Sequence, residues 1–188
     1  MKKRYLFFFI KKKNTGDLLY VSNQDSNTVS FYNASTQSYL GSIENVGSPR
    51  GLAFDQVKNY LYICAPTYES VFVLDSNQKL VSTIHVKDPI SVTLDVKNGL
   101  AYISNADKNN ERVEVYETTK FSKTMEFKTD GGELRHPTGS VIIDDKLYVL
   151  SQEKSLLLSF SIPTQQYLGV LSTFSSTPEQ IAFVNFSC

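Results

Sequence analysis

Two landmarks recur along this chain at one shared interval. A tyrosine inside a short β-forming run falls at Tyr20, Tyr62, Tyr102 and Tyr148, spaced by 42, 40 and 46 residues. A proline that opens each run of strands falls at Pro49, Pro89, Pro137 and Pro178, spaced by 40, 48 and 41. Agreement between independent landmarks makes an accidental repeat improbable. The clearest copy runs from Ser48 to Ile63. Pro49 and Gly51 mark a turn, Leu52 to Phe54 is apolar, Asp55 to Asn59 is a polar connection, and Tyr60 to Ile63 is rich in β-formers.

Four short strands fit into each repeat, and a period of this length with four strands is that of a propeller blade. The reading is therefore all-β: a β-propeller of four blade-like repeats of about 40–46 residues, forming part of a larger ring. First strands are expected at Leu52–Asp55, Ile90–Asp95, Gly139–Asp144 and Gln180–Val184. Second strands are expected at Leu19–Asn23, Leu61–Ala65, Leu100–Asn105 and Leu147–Ser151. Third strands follow at Thr28–Asn33, Ser70–Asp75, Arg112–Glu117 and Leu156–Ile162, and fourth strands at Ser38–Ile43, Lys79–His85, Phe121–Phe127 and Gln166–Ser172. Asp55, Asp95 and Asp144 close three first strands where a carboxylate starts an Asx-type turn. No stretch sustains a helical period. The whole chain, 1–188, reads as one propeller domain or propeller fragment, with units at about 1–47, 48–87, 88–135 and 136–175 and a further strand at 180–184. Alternation places Leu52, Phe54, Leu61, Ile63, Val71, Val73, Val92, Leu94, Ile103, Val113, Val115, Val141, Ile143, Val149 and Phe160 in the core.

The residues resemble a known class. Pro49-Arg50-Gly51-Leu52-Ala53-Phe54-Asp55 followed by Leu61-Tyr62-Ile63 is similar to the NHL repeat. Leu19-Tyr20-Val21-Ser22-Asn23 followed by Ser26-Asn27-Thr28-Val29-Ser30 resembles the related YVTN repeat. The likeness extends over nearly the whole chain, with an insertion before Pro137 and no acid at Ile162, where the other third strands end in Asn33, Asp75 and Glu117. It implies blade type rather than activity, because such propellers serve many roles. The absence of Trp argues against the WD-type repeat.

The chain's formal charge is zero but unevenly spread. Lys2, Lys3, Arg4, Lys11, Lys12 and Lys13 all precede the first acid, Asp17, which leaves 13 basic against 19 acidic residues in the remainder. An acidic body argues against nucleic acid as a partner. Tyr5 to Ile10 imitates the apolar core of a signal peptide, but it is six residues long and runs into three lysines. That is too short for a secretory signal or a membrane span. Leu6–Ile10 instead matches the layout of Leu52–Asp55 and is read as a degenerate first strand. Counted so, the chain holds four complete blades plus a surplus strand, an open array whose edges invite self-association or a dimer completing an eight-bladed ring. Counted as a tail, it leaves Gln180–Val184 to close a four-bladed ring. Cys64 and Cys188 make no disulfide framework, and a reduced, cytoplasmic compartment is the simpler expectation. Asn33-Ala34-Ser35 and Asn185-Phe186-Ser187 match the glycosylation sequon.

Catalytic signatures are missing: there is no Gly-x-Ser-x-Gly elbow, no phosphate-cradling loop and no Cys-x-x-Cys. His85 and His136 are too few for a structural zinc site without carboxylate help. Asp107-Lys108-Asn109-Asn110-Glu111 has the alternating oxygens of a calcium loop but lacks its glycine and distal glutamate, so it reads as a surface turn. No metal or cofactor is expected. What remains is positional. The loops before first strands and between second and third strands gather on one propeller face, where function converges. Arg50, Asp88, His136 and Glu179 flank the opening prolines and are expected to meet at the channel mouth, either as a polar ligand site or as a self-satisfied ring of charges. The leading functional reading is a non-catalytic binding or scaffold module for a protein or peptide. The alternatives are a propeller enzyme of lactonase or lyase type with a polar or metal site at the channel mouth, which the resemblance admits, and a truncated propeller fragment without independent function.

Overall fold

The computed structural model describes residues 5–12 and 16–182, with side chains described from Asp17 onward. Sixteen strands form four antiparallel sheets of four. The first sheet holds β1 (Tyr5–Lys12), β2 (Gly16–Asn23), β3 (Thr28–Asn33) and β4 (Tyr39–Ile43). The second holds β5 (Leu52–Asp55), β6 (Tyr60–Ala65), β7 (Ser70–Leu74) and β8 (Leu80–His85). The third holds β9 (Pro89–Asp95), β10 (Leu100–Asn105), β11 (Arg112–Glu117) and β12 (Lys123–Phe127). The fourth holds β13 (Pro137–Ile143), β14 (Lys146–Ser151), β15 (Leu156–Ser161) and β16 (Tyr167–Thr173). Each sheet is a simple up-and-down meander in chain order. One 3-10 turn, Pro66–Tyr68, is the only helical element among the described residues.

Blade architecture follows from what each strand must bury. Side chains alternate faces along a strand, and a blade between two others is covered on both. The second strands accordingly bury nearly every residue, as in β6 and β10, whereas the outer strands β4 and β16 are largely exposed. Three apolar layers separate the four sheets. Tyr20 and Val29 of the first blade pack with Leu52, Leu61 and Ile63 of the second. Tyr62, Val71, Val73 and Ile84 of the second pack with Val92, Ala101 and Ile103 of the third. Tyr102, Val113, Val115 and Phe127 of the third pack with Leu147, Val149, Leu158 and Phe160 of the fourth. Each of these large side chains contributes about 1.5–3 kcal/mol by leaving water. Tyr20, Tyr62 and Tyr102 thus each face the following blade.

The turns recur with the strands. Asp55 Oδ1 accepts the amides of Val57 and Lys58 at 2.9 and 3.0 Å, and Asp95 Oδ1 accepts that of Asn98 at 3.1 Å. Asp144 departs from this pattern. It sits at φ 53° in a two-residue turn between β13 and β14. The outer strands begin one or two residues later than the sequence reading placed them, because Gln37, Gln78, Phe121 and Gln165 hold the left-handed turn conformation just before them. Phe121 tolerates that conformation while its ring packs against Tyr60, centroids 6.5 Å apart.

Gly51 and Gly139 mark close approaches between inner strands. A Cβ on Gly51 would stand 2.6 Å from Ser91 Cα, and Gly51 N donates to Ile90 O at 2.9 Å. A Cβ on Gly139 would stand 3.0 Å from Gln180 Cα. Residues 180–182 therefore lie beside β13 much as β9 lies beside β5.

β1 pairs with β2 from Tyr5 to Lys12, so the N-terminal segment supplies the inner strand of the first blade, as the layout of Leu6–Ile10 suggests. Other expectations need correction. Of the strand expected at 180–184, residues 180–182 carry no strand pairing, and 183–184 lie outside the described residues. Cys188 and the sequon at Asn185 lie outside them as well. Val141 and Ile143 are half-buried rather than core. Val141 pairs with Tyr148 and shares its face, which no further sheet covers among the described residues. Phe54 and Leu94 are half-buried but pack against the interblade layers.

Candidate functional site: the channel mouth

The opening prolines build the entrance. Ser48, Asp88 and His136, each just before a proline, have φ of 55°, 40° and 48°. This left-handed conformation is unfavourable for such residues and more so before proline. The surrounding bonds hold it. Ser48 N donates to Asn27 Oδ1 at 2.7 Å, Ala106 N to Asp88 O at 3.0 Å, and His136 N to Glu111 Oε1 at 2.9 Å. The chain then enters each inner strand at a set angle, so the residues after the prolines converge.

They converge on a cavity of about 380 Å³. Its walls are Pro49, Arg50 and Gly51 just before β5, the starts of β9 and β13, the segment 179–182, and Ser22, Gln24, His136 and Gln152. Most of its hydroxyls are already committed. Ser91 Oγ has Ser104 Oγ at 3.0 Å and Thr138 O in reach of its single proton, Ser104 Oγ donates to Thr138 O at 2.9 Å, and Thr93 Oγ1 donates to Ser140 O at 3.0 Å. These bonds staple the inner strands of the third and fourth blades together.

Arg50 differs from them. Its backbone amide donates to Cys64 O at 3.0 Å, which anchors the residue, yet its Nε is buried with no hydrogen-bond partner. A buried donor left unpaired costs about 1–3 kcal/mol. Close by, burial pushes the Cys64 thiol well above its ordinary pKa, against the opposing pull of the Arg50 guanidinium. Cys64 is therefore an inert core thiol.

Of the four residues expected at the mouth, Arg50, His136 and Glu179 line the cavity. Asp88 is not among the lining residues, and in that blade Ile90, on the far side of the proline, faces the cavity. Sequence reasoning missed Ser22, Gln24, Gln152 and Gln180. Gln24 and Gln152 fall in connections between second and third strands, the loops expected on this face, so their loop position was the available signal.

Among the described residues no group of three or more His, Cys, Asp and Glu is placed to hold a metal ion. The segment from Asp107 to Glu111 is a turn whose last carboxylate is already engaged: Glu111 accepts the His136 amide and pairs with Arg135 Nε at 3.0 Å. A second charged cluster lies away from the cavity, on β11 and β12. Buried Glu114 accepts from Asn105 Nδ2 and Tyr116 Oη, both at 2.7 Å, and pairs with Arg112 at 2.6 Å and Lys123 at 3.2 Å. Burial pushes the Glu114 carboxyl up, but the hydrogen bonds from Tyr116 and Asn105 and the Arg112 charge outweigh it, and the net shift is downward. Tyr116 Oη also reaches His85 O at 3.4 Å, which ties this cluster to the second blade.

No protein-family profile matches the sequence, and no curated protein matches it. Solved structures do match in fold. The chain is similar to the hydrazine synthase of Kuenenia stuttgartiensis, with a TM-score of 0.71 and 20% identity over 81% of this chain and 45% of that one. It is similar to Sqt1 of Saccharomyces cerevisiae, with a TM-score of 0.72 and 14% identity over 92% of this chain and 50% of that one. It is also similar to the computationally designed Ika8 protein, with a TM-score of 0.67 and 15% identity over 94% of this chain and 52% of that one. The chain thus spans about half the length of the structures it matches. At such identities the likeness shows the fold alone, which is that of a β-propeller.

Proposed function

We propose that this chain is a non-catalytic propeller module of NHL and YVTN type that binds a protein or peptide at its channel mouth. The observation that carries the reading is the cavity itself. Three inner strands and two second-to-third-strand loops bring Arg50, His136, Gln24 and Gln152 together around about 380 Å³, the small end of the range for ligand sites. Each of these groups lies within two residues of a strand end, so little ordering is required on binding. The acidic balance after Lys13 disfavours nucleic acid as the occupant.

Selection of displayed random peptides on the immobilised chain tests the proposal. Enriched peptides are expected to bind the chain and to lose binding when Gln152→Trp fills the cavity. Failure to enrich any peptide, or enrichment of peptides indifferent to Gln152→Trp, would overturn the reading.

A further inference from the structure

We infer that the group this cavity accepts is a carboxylate, held by Arg50; the inference rests on the peptide-binding reading above. The argument is one of unmet donors. Ser91, Thr93, Ser104 and Ser140 spend their hydroxyls on one another and on backbone carbonyls. Arg50 stands on the cavity wall with its Nε buried and unpaired. A guanidinium presents five donors in a planar fork and accepts nothing. The fork matches the two oxygens of a carboxylate, and charge assistance strengthens that pairing over one with a neutral amide.

The rest of the wall suits the same ligand. Gln24, Gln152 and His136 surround the space with amide and imidazole groups able to donate. Ile90 and Val92 give it an apolar side, against which the methylenes of an acidic side chain or the last residue of a peptide can lie. The volume, within the range of ligand sites, admits an acidic side chain or the last residues of a peptide. Glu179 lines the cavity from the segment after β16 rather than from a strand, and it is exposed.

A carboxylate on a peptide has two sources, a side chain and the C-terminus, and the test separates them. Three synthetic pools of randomised octapeptides are passed over the immobilised full chain. The first contains Asp and Glu with an amidated C-terminus, the second lacks both acids but keeps its terminal carboxylate, and the third lacks all carboxylates. Retention of the first or the second pool is expected to exceed that of the third at least tenfold, and the pool retained names the source. Acetate in the wash should displace it where acetamide does not. R50Q should lower retention to the level of the third pool. Equal retention of all three pools would sink the carboxylate inference while leaving peptide binding intact. Retention of none would remove both. Should R50Q fail to fold, the acetate competition on the unaltered chain decides. Displacement by acetate alone supports the inference, and equal displacement by acetamide, or none by either, overturns it.

Discussion

Tyr148 lies opposite Ser159, whereas the equivalent Tyr20, Tyr62 and Tyr102 lie opposite Phe31, Val73 and Val115. The neighbouring register position repeats the contrast. Ile43, Ile84 and Phe127 pair with fully buried Val29, Val71 and Val113, but the fourth blade pairs Ser172 with half-buried Leu157. The outward face of the fourth blade is therefore more polar than the faces that receive a following blade.

Restoring the apolar pattern should restore the stickiness. The double substitution Ser159→Val with Ser172→Ile is expected to produce concentration-dependent association by sedimentation velocity, because it joins Tyr148, Leu157 and Phe174 into one exposed apolar patch. An unchanged sedimentation coefficient over a hundredfold range of concentration would count against this view of the face.

Tyr62 and Tyr102 bury their rings between blades and leave both hydroxyls without a hydrogen-bond partner. Burial, together with the charge of Asp95, holds the Tyr102 hydroxyl pKa up at about 12. Replacement by Phe keeps the packing and removes the unpaired polar group. Tyr62→Phe and Tyr102→Phe should each leave stability unchanged or raise it by up to about 1 kcal/mol in urea unfolding. A clear loss would show that the hydroxyls do have partners.

Glu114 makes stability depend on acidity. Its folded pKa lies below the ordinary carboxyl value, so its contribution is complete above that value and disappears as the pH falls through the folded pKa. Glu114→Gln should flatten the acid limb of a stability–pH curve. Glu114→Ala, which strands Arg112, Asn105 and Tyr116 without their acceptor, should cost about 3–5 kcal/mol at neutral pH. Identical acid limbs for the unaltered chain and Glu114→Gln would refute the assignment.

The two close-approach glycines should differ. At Gly51 an added methyl meets the backbone of β9, which is locked into a sheet, and Gly51→Ala should cost about 1–3 kcal/mol. At Gly139 it meets Gln180 and Ile181, which lie in no sheet and can move aside. Gly139→Ala should therefore cost less, and thermal unfolding of the pair gives the comparison. Equal losses would mean that residues 180–182 are held as firmly as a strand.

Deleting residues 1–13 removes β1, whose pairing with β2 runs from Tyr5 to Lys12. The deletion should destabilise the first blade and expose an unpaired edge that promotes association. A monomer with unchanged melting would show that β1 is dispensable.

Local chemistry was enough to write the repeat into the sequence. A strand needs a few β-formers and a turn at each end, and the prolines, Asp55, Asp95 and the recurring tyrosine all act over a handful of residues. The strand ladder and even the N-terminal strand could be read that way. Other features depend on how the blades meet. Val141 and Ile143 carry the same alternation as Val92 and Leu94, and only the lack of a sheet against the fourth blade among the described residues leaves Val141 half-buried. Asp88 and His136 both precede a proline, yet His136 reaches the cavity wall and Asp88 does not. Gln24 and Gln152 look like any loop glutamines until two blades place them on one wall. An alternating pattern records that a side chain points off a sheet. What stands opposite it is set by sheets far away in the chain, and that alone decides whether it becomes core, surface or site.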